Sequence, residues 1–196
     1  MKSIKLLFIA TFLFTGVANA QITKGNWMVG GNASFSSQDT YSNKGAKNNI
    51  SQKTVQLKPN LGYFLIDKLA IGARLGYEGT FFGDYGYGAT KSNGFFVGPF
   101  ARYYFLKPEK VVNVFAESSY TLGETYYRGV IEYQNYSRLE KTYSFMAGPV
   151  VYFNSSVSME FTLQYSSTNI KYEENDLTNN KFQVGLGLQI YLEKNR

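Results

Sequence analysis

The sequence contains no cysteine and no histidine. Without cysteine there is no disulfide framework, no thiolate nucleophile and no zinc–thiolate site, and without histidine the commonest general base and metal ligand are gone. A Ser-His-Asp hydrolase is excluded. Charge is thin as well: 20 basic and 14 acidic side chains are scattered over 196 residues, with no basic run longer than two, which leaves no stripe for nucleic acid. Past the first twenty residues no apolar run approaches the length of a membrane helix, and no i, i+3, i+4 stripe repeats.

What is there begins with an export signal. Lys2 and Lys5 precede an apolar run, Leu6 to Phe14, and Ala18-Asn19-Ala20 forms a small-residue cleavage site before Gln21. Residues 1–20 therefore read as a cleaved signal peptide, and residues 21–196 as one domain with 18 basic and 14 acidic side chains.

That domain alternates apolar and polar residues with period two in eight segments: 27–35, 55–65, 69–81, 94–106, 112–122, 143–153, 157–165 and 182–192. In "GFFVGPFARYYFL" (94–106), Phe95, Val97, Pro99, Ala101, Tyr103 and Phe105 share one face, and Phe96, Gly98, Phe100, Arg102 and Tyr104 the other. Each segment has the length a tilted strand needs to cross hydrocarbon. The connections alternate long and short, with long loops at Gln38–Ser51, Gly83–Asn93, Gly123–Thr142 and Lys171–Asn180 and turns at Asp67, Glu109 and Ser155. The fold this predicts is all-β: an eight-stranded antiparallel up-and-down transmembrane β-barrel with loops outside and both termini in the periplasm.

The charges support it. With the uncharged face towards lipid, Lys58, Arg74, Glu78, Arg102, Glu117 and Glu160 all point into the lumen, three of each sign. A turn "KPEK" centred between Glu109 and Lys110 puts Arg102 opposite Glu117, and a loop centred on Gly88 puts Arg74 beside Arg102. The expected network is Arg74, Arg102, Glu78 and Glu117, with Phe96, Phe100, Tyr104, Phe115 and Tyr152 filling the remaining lumen and leaving little room for water. Lipid-facing rings fall near the strand ends, Trp27, Tyr63 and Tyr103 at one interface and Tyr77, Tyr120, Tyr143 and Tyr165 at the other. Pro59, Pro99 and Pro149 share that face and imply bulges or missing ladder bonds.

Through "VGPFARYYF", "FAESSY" and "GLGLQIYL" the chain resembles the outer-membrane β-barrel domain family common in Bacteroidota, similar in architecture to OmpX, OmpW and the barrel of OmpA. The resemblance covers residues 21 to 192 and implies the outer membrane of a Gram-negative bacterium, a fold that serves many tasks.

Function is sought in the loops. "ETYYRGVIEYQNYSRLEKTYSF" reads as a hairpin protruding beyond the membrane, with Tyr126, Tyr127, Arg128, Ile131, Tyr133 and Tyr136 as an interaction edge and a turn near Gln134-Asn135. Lys44, Lys47, Lys91, Arg128, Arg138 and Lys141 are candidates to meet lipopolysaccharide phosphates. The acidic loop residues Glu173, Glu174 and Asp176 match no calcium-loop spacing. The reading is therefore a monomeric, non-enzymatic barrel without cofactor or metal, with a structural, adhesive or interaction role. An OmpW-like conduit for small apolar compounds is the alternative, and a soluble lipocalin-like ligand binder, with its apolar face lining a cavity, the lesser one.

Overall fold

The computed structural model describes residues 22–40, 50–84, 90–128, 136–171 and 176–193. Eight strands follow one another, β1 (Trp27–Thr40), β2 (Ile50–Ile66), β3 (Leu69–Asp84), β4 (Thr90–Tyr104), β5 (Val112–Arg128), β6 (Tyr136–Tyr152), β7 (Val157–Lys171) and β8 (Asp176–Leu192). Each pairs antiparallel with the next, and β1 pairs with β8, so the sheet closes into a barrel with no free edge. Alternation decides which face points inward. Leu57, Leu61, Ile71, Leu75, Val97, Phe145 and Leu186 are exposed on the outside, whereas Arg74, Arg102, Glu117 and Glu160 are buried in the lumen. An apolar face turned outward is the reverse of a lipocalin.

The strands span 14 to 17 residues, more than the roughly ten that cross hydrocarbon. Residues 123–128 and 136–142, counted in the long connection and read there as a protruding hairpin, continue the β5–β6 ladder up to Tyr127↔Tyr136. The alternation of Tyr127 against Arg128 is part of the signal for that continuation.

Three prolines interrupt the wall without shifting it. Pairing runs Leu57↔Tyr77 then Asn60↔Arg74 in β2–β3, Val97↔Leu122 then Phe100↔Ser119 in β4–β5, and Ala147↔Leu163 then Val150↔Glu160 in β6–β7. The register is the same on both sides of each gap. Pro59, Pro99 and Pro149 thus remove ladder bonds without a bulge, and the one register shift in β2–β3 lies at Phe64/Ile66, beside the turn. Gly98 and Gly148 precede two of these prolines, where a Cβ would collide with the carbonyls of Tyr120 and Phe161.

The turn end is capped by residues 22–25. Ile22 is fully buried, Lys68 N donates to its carbonyl at 2.8 Å, and Gly25 N donates to Phe64 O at 2.9 Å. Lys24 N donates to Asp67 Oδ1 at 2.8 Å, which holds this segment on a turn where Lys68 adopts φ 69°.

Candidate functional site

Two layers of buried side chains occupy the lower lumen. Nearest the turns, Phe64, Tyr104, Phe115, Tyr152 and Tyr191 are buried with Met28. The Tyr104 and Tyr191 hydroxyls hydrogen-bond at 3.0 Å, and Ser158 Oγ meets the Tyr191 hydroxyl at 3.1 Å. Aromatic rings of this size fill an eight-stranded interior.

Above them lies a chain of buried charges. Arg102 Nε donates to Glu117 Oε2 at 2.8 Å, Arg102 Nη1 pairs with Glu160 Oε1, and Arg74 Nη1 pairs with Glu117 Oε1. Glu117 thus sits between two guanidiniums, and the order Arg74–Glu117–Arg102–Glu160 alternates in sign. The Arg102 guanidinium also lies 4.3 Å from the Phe115 ring centroid and donates to the Tyr104 hydroxyl at 3.2 Å. Gln189 Nε2 donates to Glu160 Oε2 at 3.3 Å. Such charges are tolerated in a dry interior only when paired and hydrogen-bonded.

The expected register between Arg102 and Glu117 is the one found. The β3–β4 register is not: Arg102 stands opposite Ala70, and Arg74 opposite Gly98. Both registers keep the same side chains inward, so alternation does not choose between them. Glu160 takes the place expected for Glu78, which instead accepts from Gln56 Nε2 higher in the lumen, while Lys58 donates to Gln164 Oε1 at 3.1 Å. Lys58 and Glu78 therefore lie outside the ion-paired chain.

The lumen above Arg74 is not filled. A cavity of about 470 Å³ runs from Arg74, Lys58 and Ser119 to Tyr127, Ile170 and Asn179 near the loop end. Its wall is mostly hydroxyls and amides, including Ser36, Thr54, Thr121, Ser144, Gln164 and Gln183. This corrects the expectation of a lumen packed throughout. Phe96, expected as filling, lines the cavity instead.

Outside, the rings stand in two tiers. Trp27 packs edge-on against Tyr63 (5.0 Å between centroids) and Tyr103 against Phe105 (5.3 Å) near the turns. Tyr77 with Phe95, Tyr120 with Tyr143 and Tyr165 with Phe182 form the upper tier. Phe95 and Phe182 belong to it through alternation, although neither carries the polar tip that marked the tyrosines.

Above the upper tier, the β5–β6 hairpin carries its own cluster. Tyr127 and Tyr136 stack at 4.8 Å, and the Arg138 guanidinium lies 4.6 Å and 4.7 Å from their centroids. The Tyr126 hydroxyl donates to Glu124 Oε2 at 2.7 Å, and hydrogen bonds from Ser137 and Tyr126 hold the exposed Glu124 carboxyl below its usual range. Ile131, Tyr133 and the turn expected near Gln134-Asn135 fall outside the described residues, as do Lys44, Lys47, Glu173 and Glu174.

A closed antiparallel barrel with an apolar exterior between two aromatic tiers, and the charges at that level inside, is a membrane barrel. Residues 7–189 match the model of the outer membrane protein beta-barrel domain, and the chain belongs to that family of the Gram-negative outer membrane. No curated protein matches the sequence. Among solved structures, Neisserial surface protein A is similar at 14% identity and TM-score 0.55, over 85% of this chain and 97% of that one. OprG from Pseudomonas aeruginosa aligns at 12% identity and TM-score 0.49, over 89% and 100%. Ail, the attachment invasion locus protein of Yersinia pestis, aligns at 14% and 0.44, over 87% and 100%. At 14% identity the likeness to Neisserial surface protein A is one of fold.

Proposed function

We propose that this chain is a surface-presenting barrel, monomeric and closed to general solutes, whose loop end faces outside the cell and makes its contacts there. The observation that carries this is the floor: four buried charges of alternating sign over a buried aromatic layer support a lumen closed at the turn end. The stacked Tyr127–Tyr136–Arg138 group, on the lumen-side face of strands that outrun the aromatic tier, supports an adhesive or interaction role at the loop mouth, since rigid amphipathic rings bind at low entropic cost. Residues 1–20 would direct export and be removed. On the exterior wall above the upper tier, Lys53, Phe81, Lys91 and Arg128 are cross-strand neighbours, a placement suited to lipopolysaccharide phosphates. Enzymatic activity finds no support, because the lumen carboxylates Glu117 and Glu160 are tied to arginines.

One observation favours the conduit reading. A shallow apolar depression in the outer wall follows the β4–β5 gap at Pro99, between Trp27 and Tyr63 on one side and Tyr120 and Tyr143 on the other, and it reaches the lumen-face residues Phe100 and Ser119. Saturable uptake of small apolar compounds, lost on deletion of the protein, would favour that reading.

Trypsin treatment of intact cells tests the main one. Cleavage is expected in the loop-end segments, with Lys68 and Lys110 at the turns spared, and shaved cells should lose the surface binding of untreated cells. Cleavage at the turns with protection of all four loops would overturn the topology.

A further inference from the structure

We propose that the upper lumen is a binding well for a short saccharide, one or two rings long, seated on Phe96. The inference goes beyond the surface-presenting role and relies on that reading only for which side of the membrane supplies the ligand.

Three glycines surround the ring of Phe96. Phe96 faces Gly76 across one strand pair and Gly123 across the other, with Gly94 two residues along on the same face. A Cβ on Gly94 would lie 2.7 Å from Phe96 Cζ, one on Gly123 would collide with the ring's Cδ1, and one on Gly76 would sit 3.3 Å from its Cδ2. The ring therefore lies down against the backbone of β3, β4 and β5, where side chains on the neighbouring positions would have lifted it off. Its remaining surface borders the cavity and is only partly covered. A flat apolar surface in a mostly polar cavity, with Phe82 and Ile170 the other large apolar side chains on its wall, is an unfavourable place for water and a favourable one for a ligand with an apolar face.

The surroundings define the rest of that ligand. Glu78 and Thr125 stand opposite Gly94, on either side of the strand that carries the ring. At the base is Arg74, 4% exposed, with one nitrogen on Glu117 and its Nε and Nη2 without a hydrogen-bond partner. Amides and hydroxyls make up most of the remaining wall. A purely apolar ligand would leave these polar groups unpaired. An anion would meet Glu78 and Glu140 as well as Lys58, Arg74 and Lys181, and Arg74 already shares Glu117, so charge selects neither sign. A sugar ring has both required features: a C–H face for the aromatic, and hydroxyls around its edge for carboxylate, amide and guanidinium. The volume of about 470 Å³ falls within the range of small-molecule sites. The closed floor makes this a well, so the ligand enters and leaves by the loop end. The same chemistry belongs to a free sugar and to the terminus of a surface glycan.

The test uses the full chain folded in detergent micelles, with maltose, cellobiose and N,N′-diacetylchitobiose as probes and phosphate and glutamate as anionic controls. Saturation-transfer NMR should show at least one disaccharide binding in the millimolar range through its ring C–H protons. Phe96→Leu should weaken that binding about tenfold, Gly94→Ala should weaken it by displacing the ring without removing a polar group, and Phe96→Tyr should retain it. Presenting the same disaccharide on a long polymer distinguishes a free solute from a glycan terminus. Heat-modifiable migration on gels confirms that each variant is folded. The proposal is overturned if no disaccharide shows saturation, if Phe96→Leu binds as well as the wild type, or if only phosphate or glutamate binds and Lys58→Gln abolishes it. Micelles expose both barrel ends, so a failure here is separate from a failure of the cell-surface topology.

Discussion

Replacing Arg102 by alanine should lower stability by about 3–5 kcal/mol, read as a fall in the urea midpoint of the protein in lipid vesicles. Arg102 is fully buried and holds two carboxylates, Glu117 and Glu160, while its guanidinium covers the Phe115 ring. Removing it leaves Glu160 with the Gln189 amide and Glu117 with Arg74. The loss comes less from the missing attraction than from a carboxylate stranded in a confined space. Glu160→Ala alone should also destabilise, but the double variant should fall short of the sum, with a coupling of about 0.5–3 kcal/mol. Small, strictly additive losses would mean that each charge is hydrated separately and that the lumen at this level is wet.

The second large effect is expected one layer below. Tyr191→Ala should cost about 3–5 kcal/mol, because a fully buried ring is removed from contact with Phe64, Tyr104 and Tyr152 and the rigid wall around it closes only partly. Tyr191→Phe keeps the ring and loses the hydroxyl shared with Tyr104 and Ser158, so its cost should be near 1 kcal/mol. The same urea titration separates the two. Equal, mild losses in both variants would show a loosely packed layer that cannot seal the barrel.

Local sequence carried some parts of this arrangement and not others. Alternation assigned Arg102 and Trp27 to opposite faces because a strand's period is two and each face meets a different solvent. The turn "KPEK" is short, so its centre fixed Arg102 against Glu117. The β3–β4 loop is long enough to allow two registers with identical faces, and there the expected neighbour of Arg102 was wrong. Glu160 reaches Arg102 from β7 across the lumen, a contact set by the closure of the whole barrel, which no pairwise turn encodes. Phe96 looked like filling because its ring is large. What lays it flat is glycine at positions 76, 94 and 123 on three strands, visible only once the registers are known. The prolines were legible as interruptions, but only the ladder shows that they delete bonds without shifting register.

Conductance of the purified full-length protein in a planar bilayer tests the closed floor most directly. With Arg74, Glu117, Arg102 and Glu160 locked above Phe64, Tyr104, Phe115 and Tyr191, the wild-type barrel should give no large, stable conductance steps. Large, stable steps from the folded wild-type protein would contradict the account.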